Sequence, residues 1–267
     1  MGNKKKLVYF GAAGAGLAYC EHSKILPDFF VDNDPSKWGT SIKGVEIKSP
    51  EVLTSTPLKR IVVTSGYITD IYAQIMSFGI AKDIIQIPPK ASMGLHPFTE
   101  IENRIQAASK LHDIMALFSD SWSVVAVGGT ALGFCRGGDF IHWDFDIDLF
   151  APIQLKRTLH DLLKHSGYEP KDEGESIKAT LVLENGVTIP FGVDFFDADS
   201  EFFIDRYEDY SWKWPTKMFT QCTQVEVHGK PMNVPKPFSE YLSKVYGESW
   251  SVPNPEFNYS DYAGDLS

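Results

Sequence analysis

Val127-Gly128-Gly129-Thr130-Ala131-Leu132-Gly133-Phe134-Cys135-Arg136, running on to Ile141-His142-Trp143-Asp144-Phe145-Asp146-Ile147-Asp148-Leu149-Phe150, is the stretch on which the reading of this chain turns. Asp144, Asp146 and Asp148 alternate with Phe145, Ile147 and Leu149. Successive side chains of a β-strand point to opposite faces, so the spacing predicts three carboxylates on one face and the apolar residues in a core. Three like charges repel unless a cation lies among them, and hard oxygen donors suit Mg²⁺ or Mn²⁺. The Gly128-Gly129 turn upstream is a place where backbone amides can approach a phosphate. The stretch reads as a metal and phosphate site. Blander readings are a solvated strand edge or a structural Ca²⁺ site, but an EF-hand loop needs a glycine and a distal glutamate at set positions, and neither is there.

The 267 residues predict one large domain or two modest ones, and 43% hydrophobic with 13% aromatic residues is enough for a sizeable core. A formal net charge of −10 argues against a binder of nucleic-acid polymers, whose phosphates want a basic face. A nucleotide substrate stays compatible, because metal ions supply positive charge locally. Cys20, Cys135 and Cys222 are widely spaced, with no CxxC pattern, and suggest a reduced, intracellular protein without a disulfide framework or zinc site. No apolar run approaches the roughly 18 residues of a membrane span. The start, Met1 to Lys6, is basic but lacks a signal-peptide core, and Lys6 stands where a myristoylation motif wants Ser or Thr. The expectation is a cytoplasmic protein, with peripheral membrane contact left open.

Upstream of the central stretch, Lys6–Phe10 reads as a strand running into Gly11-Ala12-Ala13-Gly14-Ala15-Gly16, with a helix from about Leu17. Strands over Phe29–Asp32, Ile61–Thr64 and Ile84–Ile87 and a helix over Ile68–Phe78 complete an alternation that implies a parallel sheet. The expected class is therefore α/β, with a small Rossmann-like module over residues 1–92 and a second domain over residues 93–267. Gly11, Gly14, Gly16 and Asp32 are the candidates for a nucleotide or sugar-nucleotide pocket, phosphate at the helix start and Asp32 on a ribose. The spacing is Gly-x-x-Gly-x-Gly, not the dinucleotide Gly-x-Gly-x-x-Gly, so the glycines serving only to pack a tight turn on the strand is the competing reading. Phe30 to Gly39 and Ile42 to Pro50 resemble the Rossmann-like amino-terminal domains of polysaccharide-biosynthesis enzymes, including sugar acetyltransferases.

In the second part, Thr99-Glu100-Ile101-Glu102 has capping-box spacing. Ile101, Ile105, Ala108, His112, Met115 and Phe118 then predict a helix of about 19 residues facing a core, with His112 a core or edge residue rather than a catalytic one. Ser123–Val127 reads as a buried strand, Ile153–His165 as a helix stopped by Gly167, and Asn185-Gly186 as the turn of a hairpin between Lys178–Leu183 and Val187–Phe196. Asp194 sits among apolar neighbours on that second strand and needs a partner, for which the metal site is the natural candidate. An aromatic cluster at Trp212-Lys213-Trp214-Pro215, a strand pair around His228-Gly229-Lys230 and a helix over Pro237–Tyr246 follow.

Gly128-Gly129-Thr130-x-Leu132-Gly133-x-x-Arg136, then Phe140-Ile141-x-Trp143-Asp144-x-Asp146-x-Asp148, resembles the signature of the LicD family, which includes bacterial phosphocholine transferases and the fukutin-related proteins. Tyr241-Leu242-x-x-x-Tyr246-Gly247-x-x-Trp250 with Pro253 is similar to that family's C-terminal pattern. The resemblance implies a nucleotidyltransferase-like α+β fold and Mg²⁺-dependent transfer of a phospho-alcohol from a CDP-linked donor to a sugar hydroxyl of a cell-surface or capsular glycan. It also implies metal ligands at Asp146, Asp148 and Asp194, with a less certain part for Asp144. His142 stands where the family often has proline. Within that expectation Gly128, Gly129 and Thr130 face the donor phosphates, and Asp194 completes the metal site and orients or deprotonates the acceptor. Arg136 either clamps a phosphate or braces the acid loop; Lys217 is a weaker phosphate candidate, and Trp143 belongs to the core. Two other classes compete: a nucleotidyltransferase making an NDP-linked product, and a non-catalytic sugar-nucleotide-binding protein.

Overall fold

The computed structural model describes residues 4–94, 96–118, 123–207, 210–258 and 261–266. The chain forms two compact units, residues 1–95 with 254–261 and residues 96–253 with 262–267. Of the basic start, Met1 to Lys6, only Met1 to Asn3 lie outside the described residues.

The first unit runs β1 (Lys6–Phe10), α1 (Gly14–Ser23), β2 (Phe29–Val31), β3 (Ser41–Ile42), β4 (Val45–Lys48), β5 (Leu58–Val63), α2 (Ile68–Ser77) and β6 (Ile85–Gln86). The strands order as β3-β4-β2-β1-β5-β6, and every pair is parallel except β3 with β4. The expected parallel sheet is present, and it is extended by β3 and β4. Central strands of such a sheet are covered on both faces, and Val8, Tyr9 and Phe10 are accordingly no more than 2% exposed. Tyr9 packs with Tyr19, Phe30 and Val62 in the core.

The second unit opens with α3 (Ile101–Ala116), then β7 (Val125–Ala126), α4 (Gly128–Gly137), β8 (Ile147–Pro152), α5 (Lys156–His165), β9 (Lys171–Asp172), β10 (Ser176–Val182) and β11 (Thr188–Phe196). It continues with β12 (Phe202–Tyr207), β13 (Tyr210–Pro215), α6 (Lys217–Thr220), β14 (Thr223–Val227), β15 (Lys230–Val234), α7 (Phe238–Tyr246) and β16 (Asp265–Leu266). The main sheet orders as β7-β8-β11-β10-β9, with β8 and β11 parallel at its centre and the other pairs antiparallel. The Asn185-Gly186 hairpin is formed between β10 and β11, with Gly186 at φ +83. One face of the β8–β11 pair buries Ile147, Leu149, Phe191 and Val193; on the other, Phe150 and Phe196 meet Phe203 and Phe219, with ring centroids 4.8–6.5 Å apart.

Two expectations need correcting. Thr99 does not cap α3: the helix begins at Ile101 with Glu100 at its N-cap, and no side chain bonds there. Nor do Ile101 and Ile105 face the core, since they are 42% and 49% exposed while Arg104 is 7% exposed. The buried stripe is shifted by one residue, and Arg104 finds a carboxylate and two carbonyls inside. Its Nε donates to Asp139 Oδ2 at 3.0 Å and its Nη1 to the carbonyls of Phe98 and Thr99 at 2.7 and 2.8 Å. Asp139 also accepts from His228 Nε2 at 2.7 Å and from the Phe140 amide at 2.8 Å. Burial pushes the Asp139 carboxyl up, but the His228 and Phe140 hydrogen bonds and the charge of Arg104 outweigh it and hold the group below the usual carboxylate range.

Removing one partner of such a pair strands the other in a poor solvent for charge. Asp139→Asn should therefore lower unfolding free energy by roughly 2–4 kcal/mol, read from urea midpoints. Because the folded carboxyl titrates below the unfolded one, its stabilisation is complete above about pH 4 and fades as pH falls through the folded value. The gap between wild type and variant should shrink on that acidic side.

Candidate active site

The turn that carries the glycines is tied to the acid strand by its backbone. Val127 donates to the carbonyl of Asp148 at 3.0 Å, and the amide of Asp148 donates to Thr130 Oγ1 at 3.0 Å. Thr130 is buried, so its hydroxyl anchors Asp148 and not a ligand. Gly128 has φ +55, a conformation that favours glycine. A second reason for glycine here is space. A Cβ on Gly128 would lie 3.0 Å from Asp148 Oδ2, and one on Gly129 would run into the Asp144 carboxylate. Two acids thus rest directly on the Gly-Gly turn.

The acids do not share one strand, contrary to the expectation. β8 starts only at Ile147, so Asp148 alone lies in it, while Asp144 and Asp146 precede it. The cause is a turn in which the Asp144 amide donates to the Ile141 carbonyl at 3.0 Å, after which Asp144 Oδ1 accepts the amide of Phe145 at 3.0 Å. Asp144 is only 5% exposed, and Asp146 and Asp148 are half-buried. Trp143, expected in the core, is half-buried in the same turn, and His142 is exposed.

Asp194 reaches the site through register. Asp148 is paired with Gly192 and Phe150 with Asp194 across the parallel β8–β11 pair, which puts Asp148 and Asp194 on the same face. Asp194 is exposed at its flank, yet burial of the carboxyl pushes it up to about 6, with Lys178 opposing and Glu175 and Glu173 adding. Solvent at that flank screens part of the effect. A further acid, which the sequence reading missed, stands opposite. Asp205 on β12 accepts the indole N–H of Trp214 at 3.2 Å, and burial, against that hydrogen bond and together with the charge of Asp194, pushes it up to about 6 as well. Its only sequence signal is an acid directly after the apolar run Phe202-Phe203-Ile204.

Tyr241 and Tyr246 close the electrostatic neighbourhood. Burial holds both phenols well above their ordinary range; Asp205 and Asp148 add to the effect at Tyr241, and Asp148 and Asp144 at Tyr246. The amide of Gly128 donates to the Tyr241 hydroxyl at 2.9 Å, so it points at protein and not outward at a phosphate.

The remaining candidates lie elsewhere in function. Arg136 Nε and Nη2 donate to the carbonyls of Trp250 and Val252, so the guanidinium braces the C-terminal segment, neither the acid loop nor a phosphate. Lys217 is exposed at the start of α6. In the first unit Asp32 is turned inward: Oδ2 accepts the Ala12 amide at 2.8 Å and Lys37 Nζ at 3.0 Å, and Oδ1 accepts the Asp34 amide at 2.9 Å. A Cβ on Gly11 would meet the Thr64 carbonyl and one on Gly16 the Gly11 carbonyl, whereas Gly14 has open space around it. Asp32, Gly11 and Gly16 are accounted for by packing of this turn.

Carboxylate oxygens are the donors a hard divalent cation takes, so the site fits Mg²⁺ or Mn²⁺ by chemistry. Among the described residues, no three His, Cys, Asp or Glu side chains converge closely enough to hold a metal as they stand.

Residues 122–237 match the family described as LicD/FKTN/FKRP, nucleotidyltransferase domain. The second unit carries a LicD domain. The match takes in the Gly-Gly turn, all three acids of the central stretch, Asp194 and Asp205, and ends before α7. Among curated proteins none matches the chain. Among solved structures, a UDP-D-quinovosamine 4-dehydrogenase from Vibrio fischeri is 23% identical over 32% of this chain and 75% of its own, at a TM-score of 0.26. The lincosamide antibiotic adenylyltransferase LnuA, with lincomycin bound, is 10% identical over 54% of this chain and 89% of its own, at a TM-score of 0.33. Cid1 in complex with the UTP analogue UMPNPP is 18% identical over 33% and 28%, at a TM-score of 0.25. Scores this low carry no weight; strand order and the LicD match define a Rossmann-like module followed by a nucleotidyltransferase-like α+β domain. No helix among the described residues is long and apolar enough to cross a membrane.

Two variants test this geometry. Gly129→Ala should displace the Asp144 carboxylate, at roughly 1–3 kcal/mol of stability, visible as a lowered denaturation midpoint. Asp205→Asn should do the reverse at neutral pH. With its folded pKa above its unfolded one, the aspartate favours the native state below about pH 4 and loses that advantage as pH rises through about 6. The asparagine keeps an acceptor for Trp214, so without added metal it should be more stable than wild type at pH 7.5, by roughly 1–2 kcal/mol, and no more stable at pH 4.

Proposed function

We propose that the LicD domain is a Mg²⁺-dependent transferase that moves a phospho-alcohol group, such as phosphocholine or a polyol phosphate, from a CDP-linked donor to a sugar hydroxyl of a glycan. The observation that carries this reading is the packing of Asp144 and Asp148 on the Gly-Gly turn, with Asp194 on the same sheet face. A bare diphosphate brought to that turn would meet two carboxylates. At 4 Å and an effective dielectric of 20, each like-charge contact costs about 4 kcal/mol. A divalent cation between acids and phosphates reverses the sign, which is the arrangement of phosphoryl-transfer sites.

Asp146, Asp148 and Asp194 would hold the Mg²⁺, which supplies positive charge against the donor diphosphate and the leaving CMP. The rest is done by the chain. Thr130 and Val127 fix the Asp148 backbone and so keep the strand start that carries the acid against α4. The acceptor hydroxyl attacks the phosphorus that bears the alcohol, the bond to CMP breaks, and the hydroxyl proton passes to a carboxylate. Asp194 is placed for that last task by its position on the sheet face that carries Asp148.

With Mg²⁺ present, Asp146→Ala should abolish transfer while leaving the melting temperature within a few degrees of wild type. In the wild type, CDP-choline or CDP-glycerol with Mg²⁺ should raise the melting temperature by several degrees, given about 2.7 kcal/mol of stabilisation at a hundredfold excess over Kd. Turnover retained by the variant would remove Asp146 from the mechanism. Cytidine appearing on the acceptor, instead of released CMP, would reassign the reaction to nucleotidyl transfer.

A further inference from the structure

Helix α4, which presents the Gly-Gly turn, is held at both ends by the segment that follows the matched LicD region. At its start the Gly128 amide donates to the hydroxyl of Tyr241, 113 residues later, at 2.9 Å. At its end Arg136 donates to the carbonyls of Trp250 and Val252. Tyr241 is 2% exposed on α7, and its ring lies 5.0 Å from that of Trp214 and 5.9 Å from that of Phe219. A phenylalanine would fill this space equally well. The hydroxyl is the part that packing does not explain, because a buried hydroxyl is unfavourable unless it is bonded.

We propose that Tyr241 is a positioning residue of the transferase site: its hydroxyl holds the Gly128 amide and thereby the turn on which Asp148 rests. The first amides of a helix have no partner within it, and one left free would be drawn to whatever anion approaches. Committing the Gly128 amide to Tyr241 fixes the turn before any ligand arrives. A neutral phenol that accepts one hydrogen bond still has its own proton to donate. Asp205 on β12 and Asp148 on β8 are the carboxylates whose charge acts on that hydroxyl. Trp214 ties the same ring to Asp205 through its indole N–H. Tyr241 therefore links the turn, through its hydroxyl, to Asp205, through the ring of Trp214.

The catalytic consequence rests on the transferase reading; the anchoring itself does not. The test uses full-length wild type and Tyr241→Phe, with two independent readouts. Amide hydrogen exchange followed by NMR reports on Gly128, with Leu111 in α3 as control. Steady-state transfer from CDP-choline and CDP-glycerol with Mg²⁺ reports on chemistry. The expected result is a Gly128 amide that exchanges at least tenfold faster in the variant, with the control unchanged. Alongside it, kcat should fall at least tenfold while the acceptor KM stays within twofold. Unchanged Gly128 exchange overturns the proposal, and so does an unchanged kcat per folded molecule. Where wild type turns over neither donor, the transferase reading fails and the exchange arm still decides whether Tyr241 holds the turn. Should the variant not fold, the wild-type amide decides: slow exchange at Gly128 upholds the anchor and rapid exchange overturns it.

Discussion

The two hydrogen bonds that tie the Asp148 backbone to the start of α4 are the constraint on which the rest of the second unit depends. Val127 holds the Asp148 carbonyl and Thr130 holds its amide. Together they dock the start of a helix against the start of a strand closely enough that a side chain on Gly128 or Gly129 would meet carboxylate oxygens. That proximity explains the glycines without invoking a ligand. It also sets the local electrostatics, since two carboxylates held this close to a helix start repel an approaching anion.

The surrounding structure keeps this joint rigid. Arg104, Asp139 and His228 form a network behind α4, and its members come from α3, the residues after α4, and the turn between β14 and β15. On the sheet face that carries Asp148 and Asp194, an aromatic layer built on Phe150, Phe196, Phe203 and Phe219 brings β12, and with it Asp205, over β11. The site is thus assembled between a fixed turn and a wall of rings. Burial pushes the carboxyls of Asp194 and Asp205 up to about 6 there, so keeping both charged at neutral pH works against stability.

The first unit works differently. Its glycine turn resembles a phosphate loop in composition, but Asp32 folds back onto the Ala12 amide and Lys37. The packing of this turn accounts for Gly11, Gly16 and Asp32, while Gly14 has open space around it. A short Gly-rich loop after a parallel strand is compatible with both uses.

Much of this was legible in the chain itself. Alternation of strands and helices implied the parallel sheet, Asn185-Gly186 placed the hairpin, and the Gly-Gly turn with its acids marked the site, because each is a local pattern that reports a local conformation. What the sequence did not show are the features set by contacts between distant segments. Asp144 and Asp146 alternate like strand residues, yet a turn at Ile141–Asp144 keeps them out of β8. Arg104 sits in the apolar stripe because Asp139, 35 residues away, neutralises it. Asp205 carries no motif and joins the site only because β12 folds over β11. The Tyr241 hydroxyl and Gly128 amide meet across 113 residues. Periodicity determines which residues are able to be buried; only the tertiary structure decides which polar groups find the partners that make burial, and the chemistry that follows from it, affordable.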